Sequence, residues 1–86
     1  MELVFFSSAF CEPCLQARAV LADVERLVPA ATVREFDVAQ DNAQAEAAGI
    51  RNTPTIIVRN AAGDEVFRGG GVPTLAQLLV AAAKAL

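Results

Sequence analysis

The sequence predicts an α/β fold with the element order β-α-β-α-β-β-α, in which a four-stranded mixed sheet carries helices on both faces. Three observations predict it: an N-terminal run that is apolar on both faces, longer segments with apolar residues at helical spacing, and two β-rich runs around a short turn. The whole chain, residues 1–86, is expected to be a single domain, because a chain of this length can build only one core.

The first half of the chain predicts a buried strand, a long helix and a second strand. Residues 2–7 form the first strand, because their consecutive apolar side chains suit a strand that is covered on both faces. From Cys14 to Val28 the apolar residues recur at helical spacing, which predicts an amphipathic helix that ends before Pro29. Residues 32–38 are rich in β-branched and aromatic side chains and predict the second strand.

A short helix and a β-hairpin are predicted next. Asp41 is expected to cap a helix over residues 43–48, and Gly49 is expected to end it in the left-handed conformation. Residues 55–59 and 65–68 flank a turn that contains Asn and Gly, which is typical of a hairpin.

The last element is predicted to be a helix that begins with a capping box. Thr74 is followed three residues later by Gln77, which is the spacing that such a box requires. An apolar stripe on this helix is expected to comprise Leu75, Leu78, Leu79, Ala82 and Leu86.

Composition excludes several classes of function. With 10 acidic and 7 basic residues and a net charge of -3, the chain lacks the basic surface that nucleic-acid binding requires. It contains no His, Trp or Tyr, which excludes Cys-His dyads and zinc sites with His ligands. No apolar run approaches the roughly 20 residues that span a bilayer. We therefore expect neither nucleic acid nor a membrane as a partner.

Cysteine content and the N-terminal segment indicate the compartment. Two cysteines are too few for a secreted disulfide scaffold. The N-terminal segment has neither the basic flank nor the length of a signal peptide. A cytoplasmic location is therefore expected.

The two cysteines stand where the first strand meets the first helix, in the segment Cys11-Glu12-Pro13-Cys14. A spacing of three residues in a first helical turn holds two sulfurs close enough to bond, and the free N–H groups of that turn favour a thiolate. We expect Cys11 to be the nucleophile and Cys14, which faces the core, to be the resolving thiol. The alternatives are two inert structural cysteines or half of a zinc site that another chain completes.

Three motifs together resemble the thioredoxin family over nearly the whole chain. Phe10-Cys11-Glu12-Pro13-Cys14 is similar to the thioredoxin active site, with Phe for the usual Trp and Glu for the usual Gly. The segment from Gly49 to Thr55 is similar to the one that carries the cis-proline, here Pro54. Glycines 69–71 are similar to those beside the substrate groove. The resemblance implies a thioredoxin-like fold and a thiol-disulfide oxidoreductase without cofactor or metal.

The resemblance also implies the binding residues and the partners. An extended substrate strand would pair with the backbone at Thr53, a form of β-augmentation. The residues implied in substrate binding are Phe10, Glu12, Pro13, Thr53, Pro54, Gly70 and Gly71. Disulfide-containing proteins would be the substrates, and a flavin reductase or glutathione would donate electrons to a monomer.

Two other functions remain open at this point. The spacing from Cys11 through Arg18 is closer to glutaredoxins, in which cationic side chains bind the glutathione carboxylates. Arg18, Arg51 and Arg68 are candidates for that role, although ordinary solvated arginines are the simpler interpretation. The other alternative is a binding module with an idle dithiol, which would act through an apolar rim of Phe10, Pro13 and Pro54.

Two departures from the thioredoxin pattern bear on mechanism. Thioredoxins usually have a buried Asp paired with a Lys near the cysteines, and the matching positions here hold Phe5 and Glu35. Glu12 is the nearest carboxylate in sequence, and it is either a proton acceptor for Cys14 or only a surface charge. Its charge opposes the helix dipole, which predicts a reducing couple of about -230 to -280 mV.

Overall fold

Seven elements follow one another in the predicted order in the computed structural model, which describes residues 1–86. They are β1 (Glu2–Ser7), α1 (Glu12–Leu27), β2 (Thr32–Asp37), α2 (Asn42–Ala47), β3 (Thr55–Arg59), β4 (Glu65–Gly70) and α3 (Leu75–Ala85). The strand order in the sheet is β2-β1-β3-β4. β1 and β2 are parallel, whereas β3 runs antiparallel to both β1 and β4. The predicted mixed sheet is confirmed.

Each face of the sheet has its own apolar cluster. Because side chains alternate along a strand, Leu3 and Phe5 of β1 pack with α1 and α3, while Val4 and Phe6 pack toward α2 on the opposite face. β1 is therefore buried along its length except at Glu2. Helices cover both faces, as the sequence predicted. No helix combines the length and the apolar character that crossing a membrane requires.

Helix α1 is the element that presents the cysteines. It begins at Glu12, two residues before the apolar pattern starts, and it ends at Leu27, before Pro29 as predicted. One face is buried against the sheet through Cys14, Ala17, Leu21 and Val24. This packing holds the first turn of the helix at the carboxyl end of β1.

Helix α2 shows one error in the sequence prediction. Asp41 does occupy the N-cap position, but its side chain makes no capping hydrogen bond. Its carboxylate accepts the N–H of Asp37 at 3.0 Å instead, because the tight turn after β2 brings that donor within reach. The predicted end is confirmed, since Gly49 follows the helix with a φ of +68°.

The hairpin between β3 and β4 forms as predicted, and β4 extends two residues further, to Gly70. The Asn60 side chain accepts the N–H groups of Ala62 and Asp64, which closes the turn. Gly63 adopts a φ of +87° there, a conformation that glycine reaches without a steric penalty. The extension of β4 brings the glycine segment alongside the start of β3.

Helix α3 has the predicted capping box but a different buried face. The Thr74 hydroxyl accepts the Gln77 N–H at 3.1 Å, and the Gln77 side chain accepts the Thr74 N–H at 2.9 Å. The buried residues are Leu78, Ala81, Ala82 and Ala85. Leu86, expected on this stripe, is 83% exposed because the helix ends one residue earlier, and Leu75 and Leu79 are only half-buried.

Two leucine substitutions in this part of the chain should differ sharply in their cost. Leu78→Ala removes a side chain that is 0% exposed and should lower the free energy of unfolding by about 3 kcal/mol. Leu86→Ala, the matched control, should change it by less than about 0.5 kcal/mol. Urea unfolding monitored by circular dichroism measures both. Equal losses would contradict the assignment of the buried face.

Candidate redox-active site

The two cysteines form a disulfide at the start of α1. Cys11 is the N-cap residue, and its sulfur accepts the N–H of Cys14 at 3.2 Å. Their Cα atoms are 5.2 Å apart. Cys11 is partly exposed, whereas Cys14 is 1% exposed and belongs to the core beneath α1. Large partners can therefore reach the first sulfur but not the second.

The first turn of α1 sets the charge that surrounds Cys11. Pro13 has no N–H, so the Cys14 amide is the donor directed at the Cys11 sulfur, and it reinforces the positive end of the helix dipole. Glu12 is exposed in the same turn and brings a negative charge. The two effects act on a Cys11 thiolate with opposite signs and are similar in size, about 1 kcal/mol each.

Phe10 stands immediately before Cys11 in an unusual conformation. Its φ is 55°, in the left-handed region that few non-glycine residues adopt, and its side chain is fully exposed at 108%. Pro13 is exposed as well. An aromatic ring held out from the surface beside a reactive sulfur offers an apolar contact to whatever approaches.

A second loop of the site contains a cis peptide bond between Thr53 and Pro54. The Ser8 and Thr53 hydroxyl groups are hydrogen-bonded at 2.7 Å, which ties the loop before Cys11 to this loop. Gly71 donates its N–H to the Pro54 carbonyl at 2.9 Å. Three segments distant in sequence therefore meet at the site, and no sequence pattern indicated the role of Ser8.

The exposure of this second loop is uneven. Pro54, expected on an exposed apolar rim, is almost fully buried, so that expectation was wrong and the rim consists of Phe10 and Pro13. The N–H and C=O of Thr53 make no hydrogen bond within the chain. Gly70 and Gly71 leave open space beyond them, since a Cβ at either position would meet no atom within 4 Å. The loop thus offers unpaired main-chain groups beside an open surface.

An ion pair that joins α1 to β2 lies beside the cysteines. The Arg18 Nε donates to Glu35 Oε1 at 2.9 Å and its terminal nitrogen donates to Oε2 at 2.6 Å. Ser7 donates its hydroxyl hydrogen to the same carboxylate at 2.8 Å. The Arg18 guanidinium lies 5.6 Å from the ring centre of Phe5, which pairs with Glu35 across the strands. Nothing in the sequence indicated this pairing, because a contact between residues 17 apart on different elements leaves no local pattern.

This network changes the acid–base behaviour of Glu35. The hydrogen bond from Arg18 is the largest cause that lowers the pKa of the Glu35 carboxyl below 4.5, and partial burial opposes it. The Ser7 hydroxyl and the Arg18 charge lower that pKa further. Glu35 is therefore a carboxylate near neutral pH and a weak proton acceptor.

The remaining arginines differ in how they are engaged. Arg68 donates to the Glu65 carboxylate at 2.9 and 3.0 Å and to the Ala48 carbonyl at 2.7 Å. Arg51 is exposed and forms no ion pair. Of the three arginines considered for glutathione carboxylates, only Arg51 has no carboxylate partner of its own.

The strand order, the position of the cysteine pair and the cis-proline loop opposite it define a thioredoxin-fold protein. A mutant thioredoxin from Halobacterium salinarum matches 99% of this chain and 74% of its own, with 26% identity and a TM-score of 0.85. Fasciola hepatica thioredoxin matches 99% of this chain and 80% of its own, with 21% identity and a TM-score of 0.84. Oxidized mitochondrial thioredoxin 3 from Saccharomyces cerevisiae matches 95% of this chain and 76% of its own, with 17% identity and a TM-score of 0.83.

The resemblance found in the sequence is therefore confirmed in the fold, and the bonded Cys-x-x-Cys pair is consistent with a thioredoxin-family protein. No family model and no curated protein sequence matches this chain. At the level of the family, the fold and the cysteine pair support thiol-disulfide oxidoreductase chemistry.

The ion pair of Glu35 should make stability depend on pH in the acid range. Because its pKa is lowered on folding, its stabilisation is present above 4.5 and is lost as the pH falls through the lower folded value. Since both side chains are partly exposed, Glu35→Gln should cost about 1 kcal/mol or less at pH 7. Urea unfolding of both proteins from pH 7 to 2 should show this difference vanishing in acid. A constant difference would contradict the assignment.

Proposed function

We propose that this protein is a dithiol reductase of protein disulfides. The Cys11 thiolate attacks one sulfur of a target disulfide, so that a mixed disulfide forms and the other target sulfur leaves as a thiolate. Cys14 then loses its proton and attacks Cys11, which forms the internal disulfide and releases the second target thiolate. Two electrons pass from the dithiol to the target in each cycle.

The unequal exposure of the two sulfurs is the observation that carries this proposal. Cys11 is partly exposed at the helix N-terminus, and Cys14 is buried one turn into the helix within bonding distance. A partner can therefore react with Cys11 alone, and the second thiol is held next to the mixed disulfide that it must attack. Two inert structural cysteines would not require one sulfur to face solvent.

The loops around the disulfide support the binding of extended polypeptide. The unpaired N–H and C=O of Thr53 can pair with the backbone of a substrate strand, while Gly70 and Gly71 leave room for it. Phe10 and Pro13 supply apolar contact beside the reacting sulfur. Because backbone pairing is largely independent of sequence, we propose that the site accepts many unfolded or locally open targets.

We further propose that the protein acts in the cytoplasm as a single-domain monomer without a bound cofactor. Oxidised protein must then be reduced by a flavin-dependent reductase or by glutathione. Arg51 is the exposed cation beside Thr53 that could contact a glutathione carboxylate. Measuring the reduction rate of the same oxidised protein with each donor separates the two alternatives.

Single cysteine substitutions should separate the roles of the two thiols. Cys11→Ser should abolish reduction of insulin disulfides by dithiothreitol-recycled protein. Cys14→Ser should also stop turnover but should accumulate a mixed disulfide between Cys11 and the target, visible as an adduct by mass spectrometry. Leu86→Ala, which keeps both thiols and changes an exposed side chain outside the site, should retain turnover and serves as the control.

The same assay tests the rival function as a binding module. An adaptor with an idle dithiol would show no insulin reduction in the wild-type protein and would bind its partner equally well after Cys11→Ser. Loss of turnover in that variant, with trapping in Cys14→Ser, excludes this alternative. Wild-type protein that fails to reduce insulin would overturn the proposal.

The reduction potential should lie in the reducing range. Glu12 offsets the helix dipole at Cys11, so the Cys11 thiolate is only weakly stabilised and the reduced form gains little from it. We therefore expect a reduction potential of about -230 to -280 mV. Glu12→Gln should raise the potential by about 20 mV, since removing about 1 kcal/mol of repulsion stabilises the reduced form. Equilibration with glutathione or dithiothreitol buffers measures both values. A wild-type potential near -120 mV would contradict the charge balance.

A further inference from the structure

A cation lies beside the buried thiol. Arg18 follows Cys14 by four residues, so their side chains are neighbours on one face of α1. Both residues line an open cavity of about 380 Å³ that also contains Cys11 and Glu12. Arg18 and Glu12 are the only charged residues of that cavity. The buried sulfur therefore has one positive charge within a turn of it.

The guanidinium of Arg18 is held in place by two neighbours, one of which is itself held by a third residue. Glu35 accepts two of its N–H groups, and the Phe5 ring lies 5.6 Å below it. Ser7, which is itself buried, holds the Glu35 carboxylate from the other side. Phe5, whose ring supports the cation, belongs to the same packed cluster as Cys14. These contacts fix the guanidinium between α1 and β2, beside the cavity that Cys14 also lines.

Cys14 needs such a charge because its surroundings disfavour a thiolate. It is 1% exposed and packs among apolar residues such as Ala17 and Leu21. Burial of this kind raises the pKa of a thiol. No His or Lys adjoins it, because the chain has no His and its one Lys, Lys84, lines a separate groove between α3 and β4.

The other charged groups near the disulfide do not substitute for Arg18. Glu12 carries the wrong sign, and Arg51 lies on the opposite loop, where it lines a pocket with Thr53. α3 contributes Leu78 and alanines to the cluster around Cys14 and no charged side chain. Glu35 is the partner that holds Arg18, and its charge acts on the thiol with the opposite sign.

We propose that Arg18 stabilises the Cys14 thiolate during release of the substrate, and that Glu35 and Ser7 are positioning residues that hold Arg18 and moderate its charge. The inference rests on the proposed function. In the step concerned, the proton of the Cys14 thiol passes to water and the Cys14 sulfur attacks the Cys11 sulfur. The bond between Cys11 and the substrate breaks, and the substrate leaves as a thiolate.

Opposite signs distinguish this role from a structural one. Arg18→Gln removes the cation and leaves the Glu35 carboxylate uncompensated, so the Cys14 thiol should become less acidic. Glu35→Gln leaves the cation uncompensated, so the thiol should become more acidic. Both substitutions remove the same ion pair and should lower stability by similar amounts. A purely structural pair would therefore move thiol acidity in the same direction, or leave it unchanged, in both variants.

Reaction of the reduced protein with dithiobis(nitrobenzoate) in a stopped-flow instrument separates the two thiols. The first, concentration-dependent release of coloured thiolate reports attack by Cys11, and the second, concentration-independent release reports attack by Cys14. Arg18→Gln should raise the pH midpoint of the second phase by about one unit, and Glu35→Gln should lower it by about half a unit. At pH 7 the second phase of Arg18→Gln should be about threefold slower, because higher nucleophilicity partly offsets the smaller thiolate fraction.

Matched controls come from a second ion pair of similar geometry. Arg68→Gln and Glu65→Gln remove the pair on β4 and should leave both phases unchanged. Arg18→Lys keeps the charge and should restore most of the wild-type midpoint. The inference would be overturned if the first phase stayed intact and the second-phase midpoints of Arg18→Gln and Glu35→Gln moved in the same direction or did not move. Absence of the first phase in wild-type protein would instead overturn the proposed function, and the inference with it.

Discussion

The packing of α1 against β1 is the constraint on which the site depends. Cys14, Ala17, Leu21 and Val24 are buried on the same face as Leu3 and Phe5, so the first turn of the helix is held at the carboxyl end of the central strand. With the helix in that position, Cys11 becomes its N-cap and the two sulfurs come within bonding distance. Each further property of the site follows from where that turn lies.

Reactivity in this chain must come from backbone dipoles and a few fixed charges, because it contains no His or Tyr. The positive end of α1 acts on the exposed sulfur and Glu12 opposes it. Arg18 lies beside the buried sulfur, and Glu35 holds and partly offsets it. Each thiol therefore has one favourable and one unfavourable electrostatic neighbour. Such a balance favours a reducing couple over a strongly oxidising one, because neither thiolate is greatly stabilised.

Local patterns predicted the elements that depend on local physics. Helical periodicity and the position of Pro29 predicted α1, and the capping box of Thr74 and Gln77 predicted the start of α3. Prediction failed where a tertiary or terminal effect competes, as when the Asp41 carboxylate turns to Asp37 and when Leu86 lies beyond the helix end.

The site itself was only partly readable from the sequence. The spacing of the cysteines indicated the disulfide, because both sulfurs belong to one helical turn. The link from Ser8 to Thr53 spans 45 residues, and the pair of Arg18 with Glu35 joins two different elements. Contacts of this kind arise only when the sheet order brings the segments together, so no spacing in the chain encodes them. Likewise, the burial of Pro54 depends on its neighbours in the folded protein.

Thiol counting after mild oxidation tests the central claim most directly. Reduced protein is exposed to a slight excess of oxidised glutathione, treated with an alkylating reagent under denaturing conditions, and weighed by mass spectrometry. We predict a monomer that has lost two hydrogen atoms and carries no alkyl group, and that regains two reactive thiols on reduction. Protein in which both thiols remain open to alkylation, with no bridge between Cys11 and Cys14, would contradict the account.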